Sequence, residues 1–273
     1  ELVTTVRRRA NLGRLAADLW AGSTSRFDMG NVLILDLASG QVDSVSDLAL
    51  FGGANALAVE SALGRWEIVQ AGHAELIAPG RYRLRRLLRG QRGTEQAMGM
   101  PTPAGARVVL LNEALIPLPI PEADLGIPFN WRIGPARHPV SSDTFAALNF
   151  TPEGAGLRPF APVHVAQPWR QPHSPGDLVI RWTRRSRSLA ADSWQGIEVP
   201  MGEEQESYEV RIMNGAAVKR TLTSTAPSVT YTAAQQADDF GTLLAPGGSL
   251  TIRICQLSAR IGRGTARTTT LYI

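Results

Sequence analysis

The chain has 273 residues, enough for two modest domains, each with its own core. Its hydrophobic fraction of 44% and its near-zero mean hydropathy are those of an ordinary globular protein. No run approaches the roughly 18 apolar residues of a helical membrane span, which excludes one. The formal charge is +4 and rests almost wholly on arginine, Lys219 being the sole lysine. A GC-rich genome explains that bias simply. The arginines are dispersed rather than massed, which favours that explanation over a nucleic-acid interface, although the guanidinium suits interface ion pairs, stacking and phosphate contact alike. Cys255 is the single cysteine, so neither an intrachain disulfide nor a thiolate metal site can form. Glu1 is not an initiator methionine and no apolar leader follows it, which is what a fragment of a longer protein would show.

In chain order, residues 7–20 (RRRANLGRLAADLW) place Leu12, Leu15, Ala16 and Leu19 at helical spacing and predict one short amphipathic helix with a basic first turn. Val32–Leu37 reads as a buried strand closed by Ser39-Gly40. Asp36, Asp43 and Asp47 lack the spacing of a calcium loop and are read as turn caps. In Ser46–Ala62 the pair Gly52-Gly53 breaks a helical pattern, and Ala56–Glu60 reads as a strand. From Trp66 to Ala71 and again from Arg81 to Arg85 the residues alternate with period two, while Pro79-Gly80 supplies a tight turn. This predicts an antiparallel hairpin with a basic outer face. Arg89–Thr94 (RGQRGT) has glycines spaced as in an anion loop but no P-loop ending, and is read as a structural turn. Val108–Leu111 is a strand, and Ile116–Pro121, with prolines at alternate positions, is a surface or edge strip. Trp131–Pro135 and Phe145–Phe150 are expected to close the first domain, with a boundary near residue 160.

From there, seven short strands with turn signals between them run from Val163 to Ile273, with Trp182 on the second. They predict a β-sandwich of the fibronectin type III kind, without a recognisable tyrosine corner before Leu250. The expected fold is therefore mainly β: an irregular β-rich domain over 1–160 with one N-terminal helix, then the sandwich over 161–273.

No catalytic constellation stands in the chain, and no catalytic, cofactor-binding or metal-ligating residue is assigned. Glu203, Glu204, Glu206 and the pair Asp238-Asp239 fall in predicted loops, where solvation keeps carboxyls near their ordinary values. His73, His138, His164 and His173 have no metal-ligand spacing, and Ser141-Ser142-Asp143 lacks a nucleophile elbow. Trp169 and Trp194 lie in polar or proline-bounded loops where an aromatic ring can stack on a sugar or fill a subunit contact.

Taken together, the phrases WEIVQ, APGRYRL and LLRGQRGTE between Trp66 and Glu95, RVVLLN at 107–112, RIGP at 132–135, GLRPFAPVH at 156–164, VPMGEEQESY at 199–208 and APSVTYTAAQQADDFG at 226–241 resemble a known family. It is the C-terminal part of the baseplate-hub or host-specificity protein of gene transfer agents and related long-tailed phages. The resemblance implies a non-enzymatic part of a tail tip, trimeric in the particle, touching other tail proteins and the host envelope or its polysaccharide, with DNA only as passing cargo. Any glycoside hydrolase-like domain would lie upstream. The competing expectation is an accessory carbohydrate-binding region of a wall- or capsule-degrading enzyme.

Overall fold

The computed structural model describes residues 2–62, 64–166, 176–187 and 201–273. The chain is mainly β and divides into two compact units, Glu1–Gly156 and Leu157–Ile273. Among the described residues no helix is long and apolar enough to cross a membrane.

In the first unit, β1 (Leu12–Leu15), β2 (Leu33–Leu37), β3 (Ala56–Glu60), β4 (Trp66–Ala78), β5 (Arg81–Leu88) and β6 (Arg107–Leu110) close into an antiparallel barrel of order β1-β2-β5-β4-β3-β6. Closure leaves no free edge, so even the four-residue β1 and β6 are paired on both sides. Leu15, Leu33, Leu35, Leu57, Val59, Val69, Leu84 and Val108 fill the interior. A regular barrel thus stands where an irregular domain was expected. The short helix α1 (Asp47–Phe51) packs outside it, its first turn capped by the Ser46 hydroxyl.

The predicted hairpin is β4 and β5. Gly80 takes φ +71°, and the Leu37 N–H reaches its carbonyl at 2.8 Å, which seats the turn against β2. Both strands change the parity of their inward residues at one level. Val69 and Ala71 point inward before Gly72, and Leu84 and Leu87, three apart, are both inside on either side of Arg86, which has φ +56°.

The helix expected over residues 7–20 does not form; the segment is strand β1 and extended chain. Leu15 and Leu19, four apart, keep the same parity in a strand as they would on a helical face, so the apolar spacing fits both. Gly13 decides between them. It disfavours a helix interior, and a Cβ there would lie 2.6 Å from the Asp36 carbonyl oxygen, so only glycine lets β1 approach β2 this closely. Pairing to β2 and β6 then satisfies the backbone on both sides.

The barrel holds a buried charge cluster that the sequence did not announce. Arg89 is fully buried and donates from Nε and Nη2 to the two Glu67 carboxylate oxygens at 2.8 and 3.0 Å. From Nη1 it reaches Asp28 Oδ2 at 3.0 Å and the Trp20 carbonyl at 2.8 Å. Asp28 also accepts from the Gly30 and Asn31 N–H groups and from the Asn31 amide. Burial pushes the Asp28 carboxyl up, but the hydrogen bonds from Asn31 and Arg89 outweigh it and hold the group below its ordinary value. The RGQRGT stretch is therefore structural. Gly90 (φ +57°) turns the chain so that its N–H also donates to Glu67 at 3.1 Å, and Arg92 and Gly93 continue in left-handed backbone.

Residues 112–150 leave the barrel. β7 (Phe129–Ile133) and β8 (Ala146–Phe150) were expected to close the first domain, but among the described residues they pair only with each other. Neither strand finds a register with β1 or β6, whose two edges are already taken.

In the second unit, β9 (Val163–Ala166), β10 (Leu178–Thr183) and β13 (Ser228–Tyr231) form a sheet of order β13-β10-β9. β12 (Ala217–Ser224), β11 (Tyr208–Asn214) and β14 (Ser249–Ser258) form the other, with β15 (Gly262–Arg263) and β16 (Arg267–Tyr272) both paired to β14. Leu178, Ile180 and Trp182 from one sheet meet Tyr208, Val210, Ile212, Ile252 and Ile254 from the other in one core, which makes the unit the expected β-sandwich. Trp182 packs edge-on to Tyr208, centroids 5.0 Å apart. Helix α2 (Ala233–Phe240) stands where a loop was predicted. Its signal is nonetheless present: Thr232 and Gln235 make a reciprocal capping box and Gly241 closes the helix at φ +73°. Gln236, buried, donates to the Gly176 and Tyr231 carbonyls and accepts from the Leu244 N–H, pinning the helix to the sheet.

Candidate interaction surface

The register of the barrel lines up one outward-facing row of residues across five strands and the start of β4. Trp66 lies beside Glu60, Arg107 beside Arg14, Arg14 beside Asp36, and Asp36 beside Arg81, while Arg107 is bonded to Glu60. Two pairs in the row are bidentate. Arg107 donates to both Glu60 oxygens at 2.6 Å, and Arg81 donates to the two Asp36 oxygens at 2.6 and 2.8 Å. The hydrogen bonds from Arg107 hold the Glu60 carboxyl below its ordinary value, and those from Arg81 do the same for Asp36, so both stay ionised. Arg107 also lies over the Trp66 ring, 5.5 Å from its centre.

Arg14 is the exception. It faces Arg107 in the β1–β6 register, and its charge adds to the hydrogen bonds from Arg107 in holding the Glu60 carboxyl below its ordinary value. Its Nη1 donates to the Gly105 carbonyl at 2.9 Å, while the oxygens of Asp36 and Glu60 are taken by other arginines. Beside this row runs an apolar one, with Leu12 paired to Val109 and Ala38 donating its N–H to the Leu12 carbonyl. Together the two rows, with the Pro79-Gly80 turn and Trp66, line an open cleft of about 700 Å³.

A second exposed surface is the 112–150 arm. Ile133, Leu148 and Phe150 are 61%, 52% and 47% exposed, and Ile116 and Leu118 of the proline strip are exposed as well. A lone two-stranded sheet is marginal in water, so such an arm gains from being covered.

The residues singled out from sequence do not converge. Asp36 and Asp47 are not turn caps: Arg81 and Arg86 hold them as bidentate ion pairs, while Asp43 accepts from the Gln41 amide. His73 is exposed on β4, His138 lies 3.4 Å from the Thr144 hydroxyl, and His164 sits on β9 with φ +49°. Ser142 bonds Thr144 between β7 and β8. Glu203 pairs with Arg187, and Glu206 with Arg184 and the Tyr208 hydroxyl. Asp239 lies in α2 rather than a loop. The hydrogen bonds from Arg220 hold its carboxyl below the ordinary value expected of a solvated group, and the Tyr231 hydroxyl donates to it at 2.8 Å. Burial pushes the Cys255 thiol up, as expected of a small core residue. Trp169, His173 and Trp194 lie outside the described residues. Among those described, no three His, Cys, Asp or Glu side chains stand where they could share a metal ion.

The limits of the barrel coincide with the span of a known family. Residues 10–109 match the family described as Rcc01698-like, C-terminal. The match starts two residues before β1 and ends inside β6, leaving the arm and the sandwich beyond it. No curated protein matches the chain. Among solved structures, the chain is similar to one described as FN3tt mut, at 14% identity over 42% of this chain and 96% of that one, with a TM-score of 0.28. It is also similar to domains d3-d4 of the rat CD45 extracellular region, at 8% identity over 59% and 71%, with a TM-score of 0.28. A third is the glycoside hydrolase domain of Endo-D from Streptococcus pneumoniae R6, at 11% identity over 95% and 32%, with a TM-score of 0.23. Scores this low carry no inference about function.

Proposed function

We propose that this chain is a structural part of the tail tip or baseplate of a gene-transfer-agent or phage-like particle. There it contributes to the hub around the DNA channel and to attachment at the host surface. The observation that carries the reading is the 112–150 arm, whose exposed Ile133, Leu148 and Phe150 make a surface suited to burial against neighbouring subunits. The phrase-by-phrase resemblance along the chain supports the same reading, as does the family match over the barrel. In this role the chain takes no catalytic step. Its partners are other tail proteins, further copies of itself and the cell envelope, with DNA passing by.

The test replaces Leu148 and Phe150 with serine in a strain that produces the particles. Completed tails should fall sharply on electron micrographs while the altered chain stays folded and at normal abundance. Normal numbers of infective or DNA-delivering particles from a strain lacking the chain altogether would refute the proposal.

A further inference from the structure

We infer that the barrel cleft between the Pro79-Gly80 turn and Trp66 binds an extended acidic-apolar segment of a partner protein, its carboxylate on Arg14 and Arg107 and its apolar side chain on Leu12 and Val109. Three observations on β1 and its neighbours lead there. First, Arg14 is exposed opposite Arg107 in the β1–β6 register, and among the described residues its one hydrogen bond runs from Nη1 to the Gly105 carbonyl. An incoming carboxylate there adds an acid to a row of three arginines and two carboxylates and meets, on Arg14, N–H donors beyond the one given to Gly105. Second, Leu12 is half exposed and forms, with Val109, an apolar floor beside the charged row.

Third, the spacing selects the ligand. Arg14 and Leu12 are two residues apart on one strand face, so their side chains stand about 7 Å apart. Alternate side chains of an extended peptide have the same separation. The cleft therefore matches an apolar and an acidic residue at positions i and i+2, running alongside β1. A volume of about 700 Å³ suits a short peptide better than a lone anion. This chemistry does not depend on tail-tip assembly, so the two readings fail separately.

The experiment titrates the full 273-residue chain, labelled for amide NMR, with acetyl-Leu-Ser-Glu-amide. Controls are acetyl-Leu-Ser-Gln-amide, which lacks the charge, acetyl-Leu-Glu-Ser-amide, which has the wrong spacing, and sodium acetate. The first peptide should shift the Gly13, Arg14, Val109 and Gly80 amides saturably and bind roughly tenfold tighter than either peptide control. Arg14→Gln, at an exposed position, should erase the preference for Glu over Gln, and Leu12→Ser should weaken both peptides alike. Equal affinity for the three peptides overturns the inference, as do shifts confined to residues outside the cleft, an acetate response that reproduces the peptide's, or no saturable shift at all.

Discussion

Replacing Arg89 with methionine tests the reading of the barrel interior most directly. Methionine keeps most of the stem and removes the guanidinium, and with it two bonds to Glu67, one to Asp28 and one to the Trp20 carbonyl. Two carboxylates are then left in a site where Glu67 is fully buried and Asp28 nearly so. Removing one partner of a buried pair typically costs about 3–5 kcal/mol, most of it the stranded charge. The assay is native-state amide exchange of the full chain, read at the paired strand residues Leu35, Val69 and Leu84. A loss of that size lowers their protection by roughly two to three and a half powers of ten. The pH dependence should also change sign. In the wild type the Asp28 carboxyl is held below its ordinary 3.8, so its contribution is present in full above that value and is lost as pH falls through the folded value. In the variant, acid removes stranded charge, so the deficit relative to wild type should shrink as pH falls. Protection within tenfold of wild type at neutral pH, or a deficit that grows in acid, would refute the assignment of the cluster as a charge-balanced structural core.

Gly22→Ala should also destabilise the barrel, by about 1–3 kcal/mol in the same exchange measurement, because a Cβ there overlaps the Asp28 carboxylate. Ile252→Ala opens a cavity at the centre of the sandwich and should cost about 2–5 kcal/mol, read from exchange of β11 and β14 amides. Burial and the bonds to Glu206 and Asp239 push the Tyr208 and Tyr231 hydroxyls well above the ordinary 10.0; both should stay protonated in an alkaline spectrophotometric titration until the sandwich unfolds. Cys255, buried with its thiol pushed up, should resist thiol reagents near pH 8 in the native chain and react at once in denaturant.

Most of the strands were legible in the sequence, because period-two alternation and the Pro79-Gly80 turn are local signals. Gly80 does take positive φ where that turn required it. What could not be read is set by pairing at a distance. The apolar spacing of residues 12–19 satisfies a helix as well as a strand, and only the approach of β2 and β6 settles it. The opposite failure occurs at α2, where Thr232, Gln235 and Gly241 announce a helix locally but the surrounding strand rhythm masks it. The cluster of Arg89, Glu67 and Asp28 joins residues 22 and 61 positions apart, and each member looks like an ordinary surface charge on its own segment.

The candidate cleft was illegible for a further reason. Arginine is so common in this chain that no single one carries information; what distinguishes Arg14 is its neighbours, and register alone assigns those. Shifting β1 by one residue against β6 would turn Arg14 inward and Leu15 outward, at the expense of a buried leucine. The hydrophobic pattern of β1 therefore fixes the charged row, and the placing of Arg14 opposite Arg107 follows as a by-product of burying Leu15. Two carboxylates stand in the same row, Glu60, on which the Arg14 charge acts, and Asp36, beside Arg14 in the register; each is bound in fork geometry to a different arginine. Each fork uses only part of the acid's accepting capacity, as Glu67 shows by holding Arg89 in fork geometry and the Gly90 N–H as well. What leaves Arg14 open to an external carboxylate is its exposure and, among the described residues, its single hydrogen bond to the Gly105 carbonyl.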